Sequence, residues 1–242
     1  MLSFLARRSL HSLIVLFVMS FIIYVLIGLM PGDPVDLMIS ADPDITSEDA
    51  IRLRAIYGLD QPLWSRYLHW LGAALTRDFG YSRLYAQPVW DAIIPALGNT
   101  LGLLISSLTL ALVIALPAGI FAATRPYSLS DYGINLAAFA GLSIPPFWLG
   151  ILLILLFAVT LGWLPAGGTA DAGGATALWE RLQYLILPIA SLTIAGVGGH
   201  TRYMRASMIE TLRQDYIRTA RAKGLSESRV VLGHALRNAM IP

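Results

Sequence analysis

Four long stretches without a charged side chain constrain this chain more than any other feature of its sequence. The first, Ser12 to Met30, has 19 residues, and a helix of that length crosses roughly 30 Å of hydrocarbon. The other three cover residues 101–123, 134–164 and 182–199. Only 13% of the residues are charged, against about 25% in soluble domains. We therefore predict an all-α integral membrane protein with four spans.

Local sequence adds detail to these spans. Arg7 and Arg8 precede the first run, which is longer than the apolar region of a cleaved signal peptide, so we predict a retained anchor; a twin-arginine export signal is the weaker alternative. Pro145 and Pro146 interrupt the third run and remove two backbone donors, so that span is expected to kink or to start through a short non-helical segment. The pair is either a hinge or a static kink.

Small residues recur every four positions in the fourth run, at Ser191, Ala195 and Gly199. Residues of this size let helices approach closely, so we predict that this span is packed inside a bundle. Polar side chains in or beside the spans either line a path through the membrane or make contacts between helices. The sequence does not decide between these two roles. They are Asn99, Thr100, Ser106, Ser107, Asn135 and Ser143.

The distribution of basic residues predicts the orientation. With a cytoplasmic N-terminus, the inside segments hold eleven Lys and Arg residues and the outside loops hold six. The positive-inside rule then places both the N-terminus and the basic segment 201–242 in the cytoplasm.

The outside loop, residues 31–95, is expected to be a small folded element. We predict one helix that starts at Thr46 or Ser47 and ends at Gly58. A second helix is predicted from Leu63 to Leu75, with its aromatic side chains at the membrane interface as the alternative to burial. Its predicted buried face consists of Trp64, Tyr67, Leu68, Leu71 and Leu75. The domain division is thus 1–30 for the first span, 31–95 for this loop and 96–242 for the remainder.

Several function classes are disfavoured by what the sequence lacks. The four runs contain no ionisable residue that a proton-coupled carrier or voltage sensor would need at depth. The only lysine, Lys223, is not in a G-x-x-x-x-G-K-[ST] motif, so if ATP drives this protein another chain binds it. With no cysteine and no histidine pair at ligand spacing, we assign no metal site and no catalytic residue. We likewise assign no nucleic-acid partner.

The segment 201–242 carries a periodic apolar pattern on a basic background. Met204, Met208, Leu212, Tyr216 and Ala220 recur at i+4, which predicts one apolar stripe along a helix that ends at Gly224. A second helix is expected to begin at Ser226-Glu227, with Val230, Val231 and Leu236 on its apolar face. On charge alone, a solvated or lipid-headgroup-binding helix is the favoured interpretation.

The exact residues change that interpretation. Asp215-Tyr216-Ile217-Arg218-Thr219-Ala220-Arg221-Ala222-Lys223-Gly224-Leu225 and His234-Ala235-Leu236-Arg237-Asn238-Ala239-Met240-Ile241-Pro242 resemble the EAA loop of binding-protein-dependent ABC transporter permeases, in its dipeptide and oligopeptide branch. Further matches lie along the whole chain. They are Met30-Pro31-Gly32-Asp33-Pro34, Gly58-Leu59-Asp60-Gln61-Pro62-Leu63, Arg66-Tyr67, Ser143 to Gly150 and Gly162-Trp163-Leu164-Pro165.

The resemblance implies a type I ABC importer transmembrane domain, with four spans visible here of an expected six. In that family the EAA loop is a coupling helix that docks on the ATPase subunit. Carried over, the contact residues are Arg218, Thr219, Ala220, Arg221, Ala222, Lys223, Gly224 and Leu225. Arg218-Thr219-Ala220 stands where sugar permeases have Glu-Ala-Ala, a difference usual in the peptide branch. Family members continue beyond the position of Pro242, so we expect the C-terminal spans to be absent from this sequence.

The resemblance also implies a function and an assembly. We expect a permease subunit for dipeptides or oligopeptides in a bacterial or archaeal plasma membrane, surrounded by lipid. Its expected partners are a second permease subunit, two cytoplasmic ATPase domains that carry ATP and Mg²⁺, and an external substrate-binding protein. The loop 31–95 is expected either to contact that binding protein or to serve as a lid. The alternatives are a nickel or glutathione importer, a membrane anchor or scaffold, and, more remotely, a membrane enzyme.

Overall fold

The computed structural model describes residues 2–30, 35–36, 39, 46–82, 84–168 and 178–241. Within these residues the chain is almost entirely helical. It forms two compact units, Met1–Ile93 and Ile94–Pro242, which we describe separately. Residues 31–34 of the Met30–Pro34 motif, Arg83 and Pro242 lie outside the described residues.

Among the described residues of the first unit are the helices α1 Leu2–Gly28, α2 Ser47–Ile56 and α3 Leu63–Leu75 and a short hairpin of β1 Tyr81–Ser82 and β2 Gln87–Pro88. The predicted start of α2 is confirmed, with a reciprocal cap in which the Asp49 N–H donates to Thr46 Oγ1 and the Thr46 N–H donates to Asp49 Oδ2. These bonds to Thr46 hold the pKa of the Asp49 carboxyl below its usual range. Gly58 follows the helix with a φ of +63°, a conformation that favours glycine.

Helix α3 has the predicted bounds, and it packs on α1 through Tyr67. The Tyr67 ring lies 5.0 Å from that of Phe21 and 5.6 Å from that of Tyr24, both edge to face. Its hydroxyl is 2.9 Å from Ser20 Oγ, so this side chain, only 2% exposed, joins the two helices by rings and by a hydrogen bond.

The predicted buried face of α3 is otherwise wrong. Leu71 is half-buried, and Trp64, Leu68 and Leu75 are exposed. Besides Tyr67, α3 contacts α1 where the Trp70 ring lies 5.7 Å from that of Tyr24 and where Leu63 lies beside Gly28. These contacts form a narrow strip, so most of the apolar face of α3 is not buried by α1.

The hairpin of β1 and β2 precedes the next helix. Tyr81 pairs with Pro88 and Ser82 with Gln87 in antiparallel register. The Val89 N–H donates to the Gly80 carbonyl oxygen at 3.0 Å, and the Phe79 ring stacks on that of Trp90 at 5.2 Å. These contacts fix the entry into the long helix that follows.

The second unit starts inside the helix α4 Val89–Thr124. It continues with α5 Leu129–Ser143, α6 Pro146–Leu153 followed by a π-helical stretch Ile154–Thr160, and α7 Leu178–Leu212. Pro95, the predicted end of the outside loop, lies inside α4. The predicted break at Pro145-Pro146 is confirmed. Here α5 and α6 meet at a bend of 93°, because neither proline can donate the hydrogen bond that a continuing helix needs.

Close backbone contacts hold α7 against its neighbours. A Cβ atom placed on Gly198 would lie 2.4 Å from the Ala138 carbonyl oxygen of α5, and one on Gly119 of α4 would lie 2.8 Å from the Thr201 carbonyl oxygen. The predicted small-residue pattern is therefore only partly right. Ser191 is buried, but Gly199 is exposed with nothing within 4 Å of its Cβ position. The contact face passes through Gly198, one residue earlier.

The described helices account for the predicted membrane spans. Three of them, Ser3–Gly28, Val89–Thr124 and Leu182–Leu212, are long and apolar enough to cross a membrane, and the bent α5–α6 pair makes up to four. The protein is therefore a multi-pass membrane protein, as its composition indicates.

We predict that Gly198→Ala destabilises the subunit whereas Gly199→Ala does not. The added methyl group at position 198 must push α5 away from α7, and overpacking of this kind costs about 1–3 kcal/mol. At position 199 the methyl group meets open space, and alanine stabilises a helix interior by about 0.5–1 kcal/mol relative to glycine. The two variants are compared by thermal unfolding of the detergent-purified subunit. Equal midpoints would show that this contact is not close in the folded protein.

Candidate functional site

The segment singled out by the sequence forms a helix, a sharp turn and a second helical segment. After α7 the chain breaks at Arg213 and Gln214 and continues as α8 Asp215–Ala222. Gly224 then turns the chain with a φ of +80°. The second segment restarts at Ser226, as predicted, and consists of α9 Glu227–Arg229, a π-helical stretch Val230–Ala235 and α10 Leu236–Ala239. We call residues 215–225 the EAA-like segment.

The prediction of a single apolar stripe is wrong at its centre. Met204 and Met208 are buried on α7, but the helix break changes the register, so Tyr216 is 43% exposed and Ile217 is fully buried instead. The reason is that the i+4 pattern assumed one continuous helix. Helix α7 ends at Leu212 and α8 begins at Asp215, so the spacing of buried residues does not continue across the break.

One apolar cluster holds the EAA-like segment in place. From α8, Ile217 and Ala220 enter the cluster, where they meet side chains from α7, from α4 and from the second helical segment. Its buried members are Ala123, Met204, Met208, Ile217, Ala220, Val230, Val231, Ala235 and Ala239. Full burial of an isoleucine contributes about 1.5–3 kcal/mol, so Ile217 by itself is a substantial anchor for α8.

The outward face of the segment is polar and small. Of the eight residues predicted to contact an ATPase subunit, Ala220 is buried and Leu225 is half-buried against the cluster. The other six are exposed: Arg218, Thr219, Arg221, Ala222, Lys223 and Gly224. The segment thus exposes three cations and the small residues Ala222 and Gly224, while Ala220 and Leu225 pack in the chain's own core.

An ion pair closes the turn at Gly224. The Arg221 guanidinium donates from Nη2 to Glu227 Oε1 at 2.6 Å and from Nε to Oε2 at 3.1 Å. This bond lowers the pKa of the Glu227 carboxyl and raises that of Arg221. The pKa of Glu227 is lower in the folded protein than in the unfolded chain. The pair therefore stabilises the turn at a pH above the unfolded-state pKa, and this stabilisation is lost as the pH falls through the folded-state pKa. Both side chains are largely exposed, so the contribution is small and screened by salt.

The sequence did not predict an ion pair between a partly exposed arginine on α7 and a buried aspartate on α5. Arg205 of α7 donates from Nε and Nη2 to the two carboxylate oxygens of Asp131, each at 2.6 Å. Asp131 is 1% exposed, in the first turn of α5. The two residues are 74 positions apart, and each flanks an apolar run rather than interrupting it. No local pattern connects them.

The broken span carries the second candidate site. Pro145 and Pro146 are exposed at the bend, and the Pro146 carbonyl oxygen accepts a hydrogen bond from Ser191 Oγ of α7 at 2.8 Å. Beside this bond is a cavity of about 370 Å³ that is lined mostly by apolar side chains, among them Phe147, Tyr184 and Leu187.

The polar residues of the spans divide into two groups. Asn99, Thr100, Ser106 and Ser143 are exposed, whereas Ser107 and Asn135 are packed inside the unit. Ser107 accepts through its carbonyl oxygen from Thr193, and Asn135 donates to Asp131. Over the described residues, no three His, Cys, Asp or Glu side chains come together as metal ligands.

The fold and the site together define a class. Apolar spans joined to a helix–turn–helix with exposed basic side chains are typical of a subunit embedded in a membrane. Comparison with known families makes the class specific. Residues 1–104 match the family "Binding-prot-dependent transport system membrane comp, N-term" and residues 115–242 match "Binding-protein-dependent transport system inner membrane component". The chain belongs to this family of ABC transporter permeases and is a transport subunit, not itself an enzyme.

Individual relatives align over the whole chain. The "Oligopeptide transport system permease protein AppB" of Bacillus subtilis is 43% identical over 100% of this chain and 76% of its own length. The "Di/tripeptide transport system permease protein DppB" of Pseudomonas aeruginosa is 37% identical, with 77% of its length covered. The "Glutathione transport system permease protein GsiC" of Escherichia coli strain K12 is 40% identical over 75% of its length.

We predict that Ala220→Leu destabilises the subunit whereas Ala222→Leu does not. A leucine at position 220 overfills the cluster around Ile217, at a cost of about 1–3 kcal/mol, whereas the exposed position 222 accepts the same side chain without a clash. Thermal unfolding of the purified subunit, combined with limited proteolysis across residues 213–226, measures the difference. Equal protease sensitivity of the two variants would contradict the burial of Ala220.

Proposed function

We propose that this chain forms part of the translocation pathway of an ATP-driven importer of dipeptides or oligopeptides. The support is twofold. The relatives above that align over the whole chain are named as permeases for oligopeptides, for di- and tripeptides and for glutathione, itself a tripeptide. The chain also carries an exposed docking helix on a tightly packed base, which is the feature that a coupled transporter needs.

The proposed assembly contains a second, homologous permease subunit, two ABC ATPase domains and an extracytoplasmic substrate-binding protein. ATP and Mg²⁺ bind to the ATPase domains in this proposal, which agrees with the absence of a P-loop motif from the sequence. The lipid of a bacterial or archaeal plasma membrane surrounds the apolar spans.

The proposed orientation has the N-terminus and the EAA-like segment in the cytoplasm. It rests on the excess of basic residues, eleven against six, in the segments assigned to the inside. Eight of the eleven lie in residues 202–237. The docking helix is then on the side of the membrane where an ATPase partner finds ATP.

Docking is assigned to the exposed residues of the EAA-like segment. Ala222 and Gly224 are small enough for close approach by a partner, and Arg218 and Lys223 offer positive charge to acidic groups there. When the ATPase domains close on ATP, they displace α8. Ile217 and Ala220 carry this displacement into α7 because they are buried in the same apolar cluster as Met204 and Met208. The outcome is alternating access of the pathway.

The bend at Pro145-Pro146 is proposed as a hinge in this movement. The two prolines remove two backbone N–H donors at the break, so fewer backbone hydrogen bonds oppose a change of angle there than inside a continuous helix. The hydrogen bond from Ser191 to the Pro146 carbonyl oxygen ties the hinge to α7, the helix that leads to the docking segment.

Two other functions remain as alternatives. A nickel or a glutathione importer uses the same architecture with a different substrate, and only uptake measurements separate these from an importer of other peptides. A membrane anchor or scaffold also presents a basic docking helix. The observation that favours transport over an anchor is the similarity to permeases along the whole of this chain.

The coupling assignment predicts the effect of two substitutions in the complete transporter. Lys223→Glu reverses a charge, and Ala222→Leu adds bulk, both on the proposed contact face. We expect each to weaken assembly with the ATPase subunits about tenfold or more, since overpacking alone costs about 1–3 kcal/mol. The measurements are co-purification of the ATPase subunits and stimulation of ATP hydrolysis by peptide-loaded binding protein in proteoliposomes.

The matched control is Arg237→Glu, which makes an equivalent charge reversal on α10, outside residues 218–225. We expect it to keep assembly and stimulation. If the control lost assembly and stimulation while the contact variants kept them, the docking surface would have to lie outside the EAA-like segment. If no binding protein changed the rate of ATP hydrolysis by the wild-type complex, the alternative function as a membrane anchor would be favoured.

A further inference from the structure

The Asp131 carboxylate is a junction between three parts of the second unit. Each of its oxygens accepts one bond from Arg205, at 2.6 Å. Oδ1 also accepts from Asn135 Nδ2 at 2.7 Å, and Oδ2 accepts from the Tyr127 N–H at 2.9 Å. The group therefore joins α7, α5 and the turn between α4 and α5, and four donors fix its orientation.

Stability alone is a poor reason for such a group. The Asp131 carboxylate loses its hydration, the Arg205 guanidinium, with 23% of its side chain exposed, loses part of its own, and an apolar pair of similar volume often stabilises a fold equally well. What an ion pair adds is a defined geometry. The two-pronged arrangement of the Arg205 guanidinium on the carboxylate allows one relative position of the two helices, whereas an apolar contact tolerates sliding.

Arg205 is placed where the docking segment acts on α7. It directly follows Met204 and lies three residues before Met208, and both methionines are in the cluster that receives Ile217 and Ala220 of α8. One turn of α7 thus contacts the EAA-like segment on one face and Asp131 on another. A displacement of α8 reaches Arg205 through side chains that are already packed together.

Helix α5 is the element that receives this displacement. It packs on α7 along its length, with Ala138 against Gly198 and Gly141 close to the Ile194 carbonyl oxygen. Asp131 fixes its first turn, and its last residue, Ser143, leads directly into the 93° bend to α6. A movement of α5 therefore also moves the α5 side of the bend between α5 and α6.

We propose that Arg205 and Asp131 are a positioning pair that makes α5 follow the EAA-like segment, so that movement at the docking surface reaches the break at Pro145-Pro146. The inference rests on the proposed function, because it takes the segment to be the ATPase contact. The pair touches neither substrate nor nucleotide. It sets how strictly ATP hydrolysis is tied to the movement of the spans.

The test uses the complete transporter in proteoliposomes, with Asp131→Asn, Arg205→Gln, Arg205→Lys and the double variant Asp131→Asn/Arg205→Gln. Two quantities are measured: the stimulation of ATP hydrolysis by peptide-loaded binding protein, and the peptide imported per ATP hydrolysed. We expect Asp131→Asn and Arg205→Gln each to lower both by about fivefold or more, at the lower end of usual coupling between sites. Arg205→Lys keeps the charge but loses the second bond, so we expect its stimulation and its import per ATP to lie between those of the other single variants and those of the wild type.

Non-additivity and a matched control make the result specific. Because the two residues act as a unit, the double variant should be no worse than the poorer single variant. The control is Arg202→Gln, three residues earlier on α7. This cation lies over the Phe139 ring of α5 at 4.3 Å and makes no such two-pronged bond, so coupling should stay near the wild-type value.

A distance measurement covers variants that assemble poorly. The chain has no native cysteine, so spin labels at Leu136→Cys on α5 and Ala206→Cys on α7, both exposed positions, report the separation of the two helices. Partner subunits are freed of cysteines for this experiment. We expect one narrow distance, unchanged by ATP, with the pair intact, and a broad distribution that changes with ATP in Arg205→Gln.

The outcomes separate this inference from the function on which it rests. Wild-type stimulation without peptide import contradicts the proposed substrate, and the stimulation ratios of the variants still test the pair. Unchanged ratios in Asp131→Asn and Arg205→Gln, or a fall in thermal stability with unchanged import per ATP, would overturn the positioning role. A narrow, ATP-independent distance in Arg205→Gln would overturn it as well.

Discussion

The close approach of α7 to its neighbours is the contact on which the second unit depends. In hydrocarbon there is little hydrophobic drive to bring helices together, so association relies on small residues that let backbones touch. Gly198 against the Ala138 carbonyl oxygen and Gly119 against that of Thr201 supply such contacts on two sides of α7. A side chain at either position would separate the helices. The burial of Asp131 by Arg205 requires α5 and α7 to remain this close.

Helix α7 connects an apolar span to the EAA-like segment. The helix is 35 residues long, and its apolar stretch continues without a break into a polar end. Met204 and Met208 on that end, together with Val230 and Ala235 beyond the turn, form the pocket into which α8 inserts Ile217. A displacement of α8 therefore acts on a continuous helix rather than on a loop, which is the mechanical property that the proposed coupling needs.

Sequence reasoning was most successful where local chemistry decides the structure. The Thr46 cap, the bounds of α3, the break at Pro145-Pro146, the turn at Gly224 and the restart at Ser226 all follow from one or a few neighbouring residues. It failed where a choice between faces was needed. Gly198 rather than Gly199 carries the contact, Ile217 rather than Tyr216 is buried, and Trp64, Leu68 and Leu75 are exposed on α3. On α3 and α7 a periodic pattern predicted a face, but the position of a neighbouring helix decided which residues were buried. At Ile217 the break between α7 and α8 shifted the register of the pattern.

The sequence alone determined that this is an all-α, multi-pass membrane protein with a basic helix–turn–helix, because hydrophobic length, proline and glycine act locally. Its motifs also identified the permease family, since a run such as Asp215 to Leu225 is specific without any coordinates. Only the tertiary structure decided that the EAA-like segment rests on a core shared with α4 and α7, and that Arg205 meets Asp131. Contacts between residues 74 positions apart depend on how helices cross, and crossing is set by the sum of many small packing contacts that no single stretch of sequence contains.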